Sequence, residues 1–250
     1  MAPSLTITVT NAATGQSRGV SPGQIVTIKG RNMAPATGAL ANIVNGVVQS
    51  TLSDVRVTFN GIEAPLLYVG PSGDRQGDQI NAIVPYGIAG LSSANLVVEY
   101  RGVRSDATQV RVVDTDPGIF TANQSGSGQG AILNENNTVN APTAPAALGS
   151  IIQIYATGEG AVAPAGVNGQ VINTTADLRR PLSMVSVRIG GQNAEVLYAG
   201  SAPTLVSGVI QINVRVPQNL PNVTAATSLP IEVQIGQATS LPGVTVSVRP

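Results

Sequence analysis

The 250-residue chain contains no cysteine, no histidine and no tryptophan, and only 10% of its residues are charged. Without cysteine there is no disulfide and no thiol nucleophile. Without histidine there is no imidazole base, and the usual zinc donors are missing. Serine catalysis would have to run through lysine, yet Lys29 is the single lysine and lies outside any S-x-x-K context. The thirteen acids are scattered over apparent strands and turns, and no two read as carboxylates facing each other across a sugar. The glycine-rich stretch GSGQG at 126–130 lacks the Lys-Ser/Thr ending and the following helix of a phosphate loop, so it reads as a hairpin or loop. Nothing here predicts an enzyme. Net charge is zero, which leaves no basic face for nucleic acid. No apolar run approaches the roughly eighteen residues of a membrane span. MAPSLTITVT has neither the basic nor the apolar region of a signal peptide, so none is expected within this chain.

Glycine (28), proline (17) and hydrophobic residues (42%) are plentiful, with much Val, Thr, Ser and Asn, a balance that suits an extracellular or cell-surface β-protein. The length accommodates two domains of ordinary size. An internal repeat argues for two. NGIEAPLLYVG at 60–70 returns as GGQNAEVLYAG at 190–200, QINAIVP at 79–85 as QINVRVP at 211–217, and PGQIVTIKG at 22–30 resembles LGSIIQIYA at 148–156. Three blocks in the same order mark two copies of one fold. The divide falls near DTDPG at 114–118, giving domains 1–114 and 115–250.

Each copy reads as strands. Apolar and polar residues alternate in LTITVT (5–10), QIVTIKG (24–30), VRVTF (55–59), NLVVEY (95–100) and TQVRVV (108–113). The second copy offers SIIQIYA, VSVRIGG, GVIQINVRV, LPIEVQIG and GVTVSV. Asn60-Gly61 and Gly190-Gly191 sit between apolar runs, where two-residue hairpin turns need positive φ. The expected fold class is all-β, as two tandem immunoglobulin-like β-sandwich domains. With aromatics at 3%, aliphatic side chains must fill the cores. The equivalent Tyr68 and Tyr198 are expected to place their rings in the core and their hydroxyls at the rim.

PGQIVTIKGRNMAP, VTFNGIEAPLLYV, QINAIVP, DPGIFTAN, GQGAILNENNTVNAPTAPAALGSIIQIYATGEG, VSVRIGGQNAEVLYAG and QINVRVP, taken in order, resemble the Solibacter-type C-terminal module common in Acidobacteria. The resemblance spans about residues 5 to 248. It implies a tandem Ig-like (IPT/TIG-like) unit of large exported proteins, with no assigned activity and no functional residues to carry over. The acidic loop PSGDRQGDQ and the linker DTDP depart from the common pattern of that family.

Both departures raise the question of a metal. Calcium takes six to eight oxygen ligands, and Asp114 and Asp116 at the domain junction, with Asp74 and Asp78 from the acidic loop, are the calcium candidates. Asn134, Asn136 and Asn137 are further oxygen donors. The competing reading is a solvated turn, since D-x-D before Pro-Gly is a common turn signature. No cofactor is expected. A second idea is an isopeptide crosslink from Lys29, but alternation in QIVTIKG turns Ile25 or Val26 and Ile28 inward and sets Lys29 outward. The functional expectation is a non-enzymatic structural, adhesive or assembly module, a filament subunit among the options, whose partners are proteins or further copies paired through edge strands. LTITVT is expected to dock in its own sandwich. The alternatives are a carbohydrate-binding accessory module, its partner a polysaccharide, and a calcium-rigidified spacer.

Overall fold

The computed structural model describes residues 7–73 and 77–250. Among them there is no α-helix, only the single 3-10 turns Tyr86–Ile88 and Thr175–Asp177, and the fold is all-β. The start of LTITVT and Asp74 lie outside the described residues.

The first copy folds into two facing sheets. One runs β1 (Thr8–Asn11), β2 (Ile25–Gly30), β7 (Asp78–Ile83), β6 (Leu66–Pro71) and β3 (Ala39–Leu40), in that spatial order. The other centres on β8 (Ser93–Tyr100), flanked by β4 (Val55–Phe59) and β9 (Thr108–Arg111), with the short β5 (Ile62–Glu63) beyond β4. Strand β1 pairs antiparallel with β2 of its own sheet. Alternation decides which face is buried. In β4, Val55, Val57 and Phe59 have no exposure while Arg56 and Thr58 are half-buried on the other side.

The second copy repeats this plan with one change. Its strands are β10 (Gly118–Ile119), β11 (Ile132–Asn134), β12 (Ile151–Thr157), β13 (Val185–Ile189), β14 (Gln192–Ser201), β15 (Ile210–Arg215), β16 (Thr227–Ile235) and β17 (Val244–Arg249). Here β14 is a single ten-residue strand paired with β13 at one end and β15 at the other, so both faces of the sandwich join in one curved sheet. The corresponding stretch of the first copy is cut into β5 and β6 by Pro65, where the second copy has Glu195. Proline has no N–H to give to a ladder, so the chain leaves one sheet and enters the other at that point. Asn60 (φ 51), Gly61 (φ 79), Gly190 (φ 56) and Gly191 (φ 81) all adopt the left-handed conformation that the two hairpin turns require.

The cores are separate. One gathers residues from Ile7 to Val112, the other from Ile119 to Val248, and the aliphatics dominate both. Phe59 is the one aromatic at the centre of either. Tyr68 and Tyr198 belong to neither, contrary to the sequence expectation. Their rings lie on the outer face, Tyr68 across Gly38 and Gly70, Tyr198 across Gly200, and their hydroxyls donate to the carbonyls of Pro71 (2.9 Å) and Ser201 (2.7 Å). A ring fits there because glycine leaves the pleat bare. Lys29 is exposed, as alternation predicts, so it lacks the dry surroundings an isopeptide needs.

Because Phe59 carries so much of the packing in an otherwise aliphatic core, Phe59→Ala is expected to destabilise the protein by about 3–5 kcal/mol. Urea unfolding monitored by far-UV dichroism measures this. A loss below about 1 kcal/mol would mean that the first core is looser than described.

Candidate functional site at the domain junction

The linker is where chemically distinctive side chains collect. Asp116 is 2% exposed. One carboxylate oxygen meets Arg18 Nη2 at 2.7 Å; the other accepts from Gln24 Nε2 at 2.7 Å and Asn11 Nδ2 at 3.0 Å. Asn11 Nδ2 also donates to the Asp116 carbonyl at 2.9 Å. Arg18 reaches onward to the carbonyls of Pro117 (3.3 Å) and Thr239 (3.1 Å). Every side chain that satisfies Asp116 therefore comes from the first sandwich, while its backbone N–H donates to Gly158 in the second (3.0 Å). Gly158 has φ +87°, and a β-carbon there would stand 1.9 Å from the Asp116 carbonyl. Only glycine permits that approach.

These contacts redirect the calcium expectation. At Asp116 the Arg18 guanidinium occupies the place a cation would take, and two amides use the remaining lone pairs. Asp114, two residues earlier, is exposed. Asp78 accepts the Met33 N–H at 2.7 Å, in another part of the first sandwich. Asn136 accepts from Thr138, and Asn134 bonds to Thr138 and the Ala144 carbonyl, closing a local turn. Among the described residues no three His, Cys, Asp or Glu side chains are grouped to hold a metal ion.

A second contact was not foreseen from the sequence. The 3-10 turn after Pro85 presents Tyr86 to the second domain, where its N–H donates to Asn168 Oδ1 (2.9 Å) and its hydroxyl to Glu159 Oε1 (3.1 Å). The ring is held between Gly23 and Gly166, each too close to bear a β-carbon. Glu159 is 1% exposed, and its Oε2 has no partner among the described residues. Burial raises its carboxyl pKa to about 7, an effect the Tyr86 hydrogen bond partly offsets. Burial and the neighbouring Glu159 together push the Tyr86 hydroxyl well above its ordinary range. The Arg179 charge partly offsets the upward shift of Tyr86, and Glu159 adds to that of Tyr198. The signal for Glu159 lay in GEG at 158–160, an acid between two glycines with φ of +87° and +79°, but nothing in the sequence named its partner.

Backbone pairing completes the seam. Val48 N donates to the Gly169 carbonyl and Val171 N to the Gly46 carbonyl, each at 2.8 Å, and Ile25 N donates to Thr157 Oγ1 at 2.8 Å. The junction orients two domains. Its one described acid of raised pKa, Glu159, is sealed from solvent.

Two outcomes check this account. Glu159 binds its proton more tightly folded (about 7) than unfolded (ordinary value 4.5), so its contribution to stability is full below about pH 4.5 and falls as pH rises to about 7. The loss amounts to about 3 kcal/mol. Chemical denaturation of wild type and Glu159→Gln across pH 4.5–8 should give a difference that grows by about that amount in favour of the variant; a pH-independent difference would refute the raised pKa. Secondly, chelator should leave the melting temperature unchanged, because Arg18 rather than an ion neutralises Asp116.

No protein-family model matches the chain, and no curated protein does. Among solved structures, the chain is similar to one titled "Bacteroides ovatus mixed-linkage glucan utilization locus (MLGUL) SGBP-B in complex with mixed-linkage heptasaccharide", at 12% identity and TM-score 0.32, covering 99% of this chain and 60% of that one. A second, titled "BspA_C_mut", aligns at 12% identity and TM-score 0.19, covering 99% of this chain and 98% of that one. Likenesses this distant carry no functional argument.

Proposed function

We propose that the chain is a non-enzymatic, rigid two-domain module of a bacterial surface or secreted protein, holding whatever lies at its two ends at a fixed separation and angle. The observation that carries this reading is the buried Asp116 carboxylate, satisfied by Arg18, Asn11 and Gln24 across the junction. These bonds fix the linker to the first sandwich, and swinging it away would leave a buried charge without its partners, which costs several kcal/mol. The Tyr86–Glu159 contact and the backbone seam oppose opening at further points.

The absence of cysteine, histidine and any suitably paired lysine supports the non-enzymatic part. Low charge and the abundance of Val, Thr, Ser and Asn support the exterior location. No helix among the described residues is long and apolar enough to cross a membrane.

X-ray scattering from the monomer tests the rigidity. Wild type should scatter as one particle of fixed shape, with a curve reproduced by a single arrangement of the two sandwiches. Asp116→Ala strands three donors at the junction and is expected to lower stability by about 3–5 kcal/mol and to broaden the distance distribution. A wild-type curve that needs a spread of inter-domain angles would refute the spacer reading.

A further inference from the structure

The outer face of the first sheet carries a row of polar side chains. Register places Thr10 beside Thr27, Thr27 beside Asn81, Asn81 beside Tyr68 and Tyr68 beside Leu40, a line crossing five strands. Gln79 and Lys29 pair in the adjacent row. Opposite this floor stands a wall from the other domain, the segment after β10 with Phe120, Thr121 and Gln124–Gly126. Between them runs an open groove of about 1060 Å³. The wall is pinned in place. Gly126 N donates to Thr121 Oγ1 at 3.1 Å, and Gly126 sits so near the first domain that a β-carbon would lie 2.9 Å from the Thr14 carbonyl.

The duplication supplies an internal comparison. In the second copy the equivalent row is Gln153, Asn213 and Tyr198, with Gln211 and Tyr155 alongside. There the Gln153 amide is spent: it accepts from Gln211 Nε2 (3.3 Å) and Tyr155 and donates to Asn137 (2.9 Å), while Gln211 Nε2 also donates to Asn213 Oδ1 (2.8 Å). Arg180 covers the Tyr198 ring, 5.3 Å from its centroid. The first copy has the same Gln-to-Asn bond and differs in having Thr27 where the second has Gln153. Asn81 Oδ1 accepts from Thr27 Oγ1 (3.2 Å) and Gln79 Nε2 (3.0 Å), which fixes the amide and leaves both Asn81 Nδ2 hydrogens without a partner among the described residues. No guanidinium lies over Tyr68 among the described residues.

We propose that this groove binds a neutral polysaccharide, with Asn81 and Gln79 reading ring hydroxyls and Tyr68 and Phe120 taking the apolar faces of sugar rings. The lining chemistry selects that class. Amides and hydroxyls both give and accept hydrogen bonds, as sugar hydroxyls do, and aromatic faces attract the weakly positive C–H edges of a ring. Lys29 is the one charged side chain among the described lining residues, too little for nucleic acid. The floor is the face of a sheet, not its edge, so it presents no unpaired backbone row for a peptide strand to join. Open ends suit a chain better than a small enclosed molecule. The proposal rests on the rigid junction, because floor and wall belong to different domains.

Native gels cast with a neutral β-glucan, a xylan or a mannan provide the test, with plain gels as reference. The full chain should be retarded by at least one polymer, and calorimetry with the matching hexasaccharide should give a saturable isotherm. Asn81→Ala and Gln79→Ala, both surface changes, should each weaken binding about tenfold, equivalent to about 1.4 kcal/mol, at an unchanged melting temperature. Asn213→Ala, the equivalent change outside the groove, should have no effect. Failure of all three polymers to retard the protein, equal loss with Asn213→Ala, or retention only by an acidic polysaccharide and abolished by salt would each overturn the proposal. Scattering separates the two readings: a particle of fixed shape that no polymer retards ends this proposal alone, whereas a flexible one ends the spacer reading as well.

Discussion

A carboxylate taken out of water must be met by donors, and at Asp116 all the side-chain donors belong to the opposite domain. That constraint organises the junction. The linker cannot swing while Arg18, Asn11 and Gln24 hold it, and the glycines at 158 and 160 exist in left-handed conformations because the linker backbone presses directly on them. Two sandwiches on a plain Pro-Gly linker would tumble independently. Here the linker is itself the most densely bonded part of the interface, and the Tyr86–Glu159 contact lies against the same glycine pair.

Neutralisation by arginine rather than by an ion has consequences for how such a module behaves. A bound cation makes rigidity depend on its free concentration. A guanidinium is always charged and always present, and its planar fork can serve a carboxylate and two carbonyls together. The bond is therefore insensitive to the ionic composition of the surroundings except through screening, which is weak for a pair with one partner buried. Glu159 introduces a pH-sensitive element at the junction, and it acts by burial rather than by pairing.

Much of the fold could be read directly. Alternation located β4, β8 and β15 to within a few residues, and the repeated NG and GG pairs located both hairpins, because these signals depend on local sterics and burial. Pro65 could have been read as a break between sheets, but only with the second copy alongside to show where an unbroken strand runs. The interface was illegible. Asp116 looks the same in sequence whether it meets a cation, water or Arg18, and 98 positions separate the two residues of that pair. The tyrosine rings were misplaced for a related reason. Their surroundings are set by glycines on neighbouring strands, a cross-strand relation that spacing along one strand does not contain.

The two copies share a polar outer row yet use it differently, and the cause is what each copy has above it. In the second copy Arg180 covers the Tyr198 ring and the Tyr155 hydroxyl bonds to Gln153, so more of the row is occupied. In the first, Thr27 stands where the second has Gln153: its hydroxyl meets Asn81 Oδ1 at 3.2 Å, but it brings no amide to link the row further. The row stays partly unspent, and the wall contributed by the following domain encloses it on one side without filling it. A duplicated fold thus gains a groove that neither copy has alone: one supplies the floor, the other supplies the wall, and the buried pair at Asp116 keeps them at the distance where both can touch one chain.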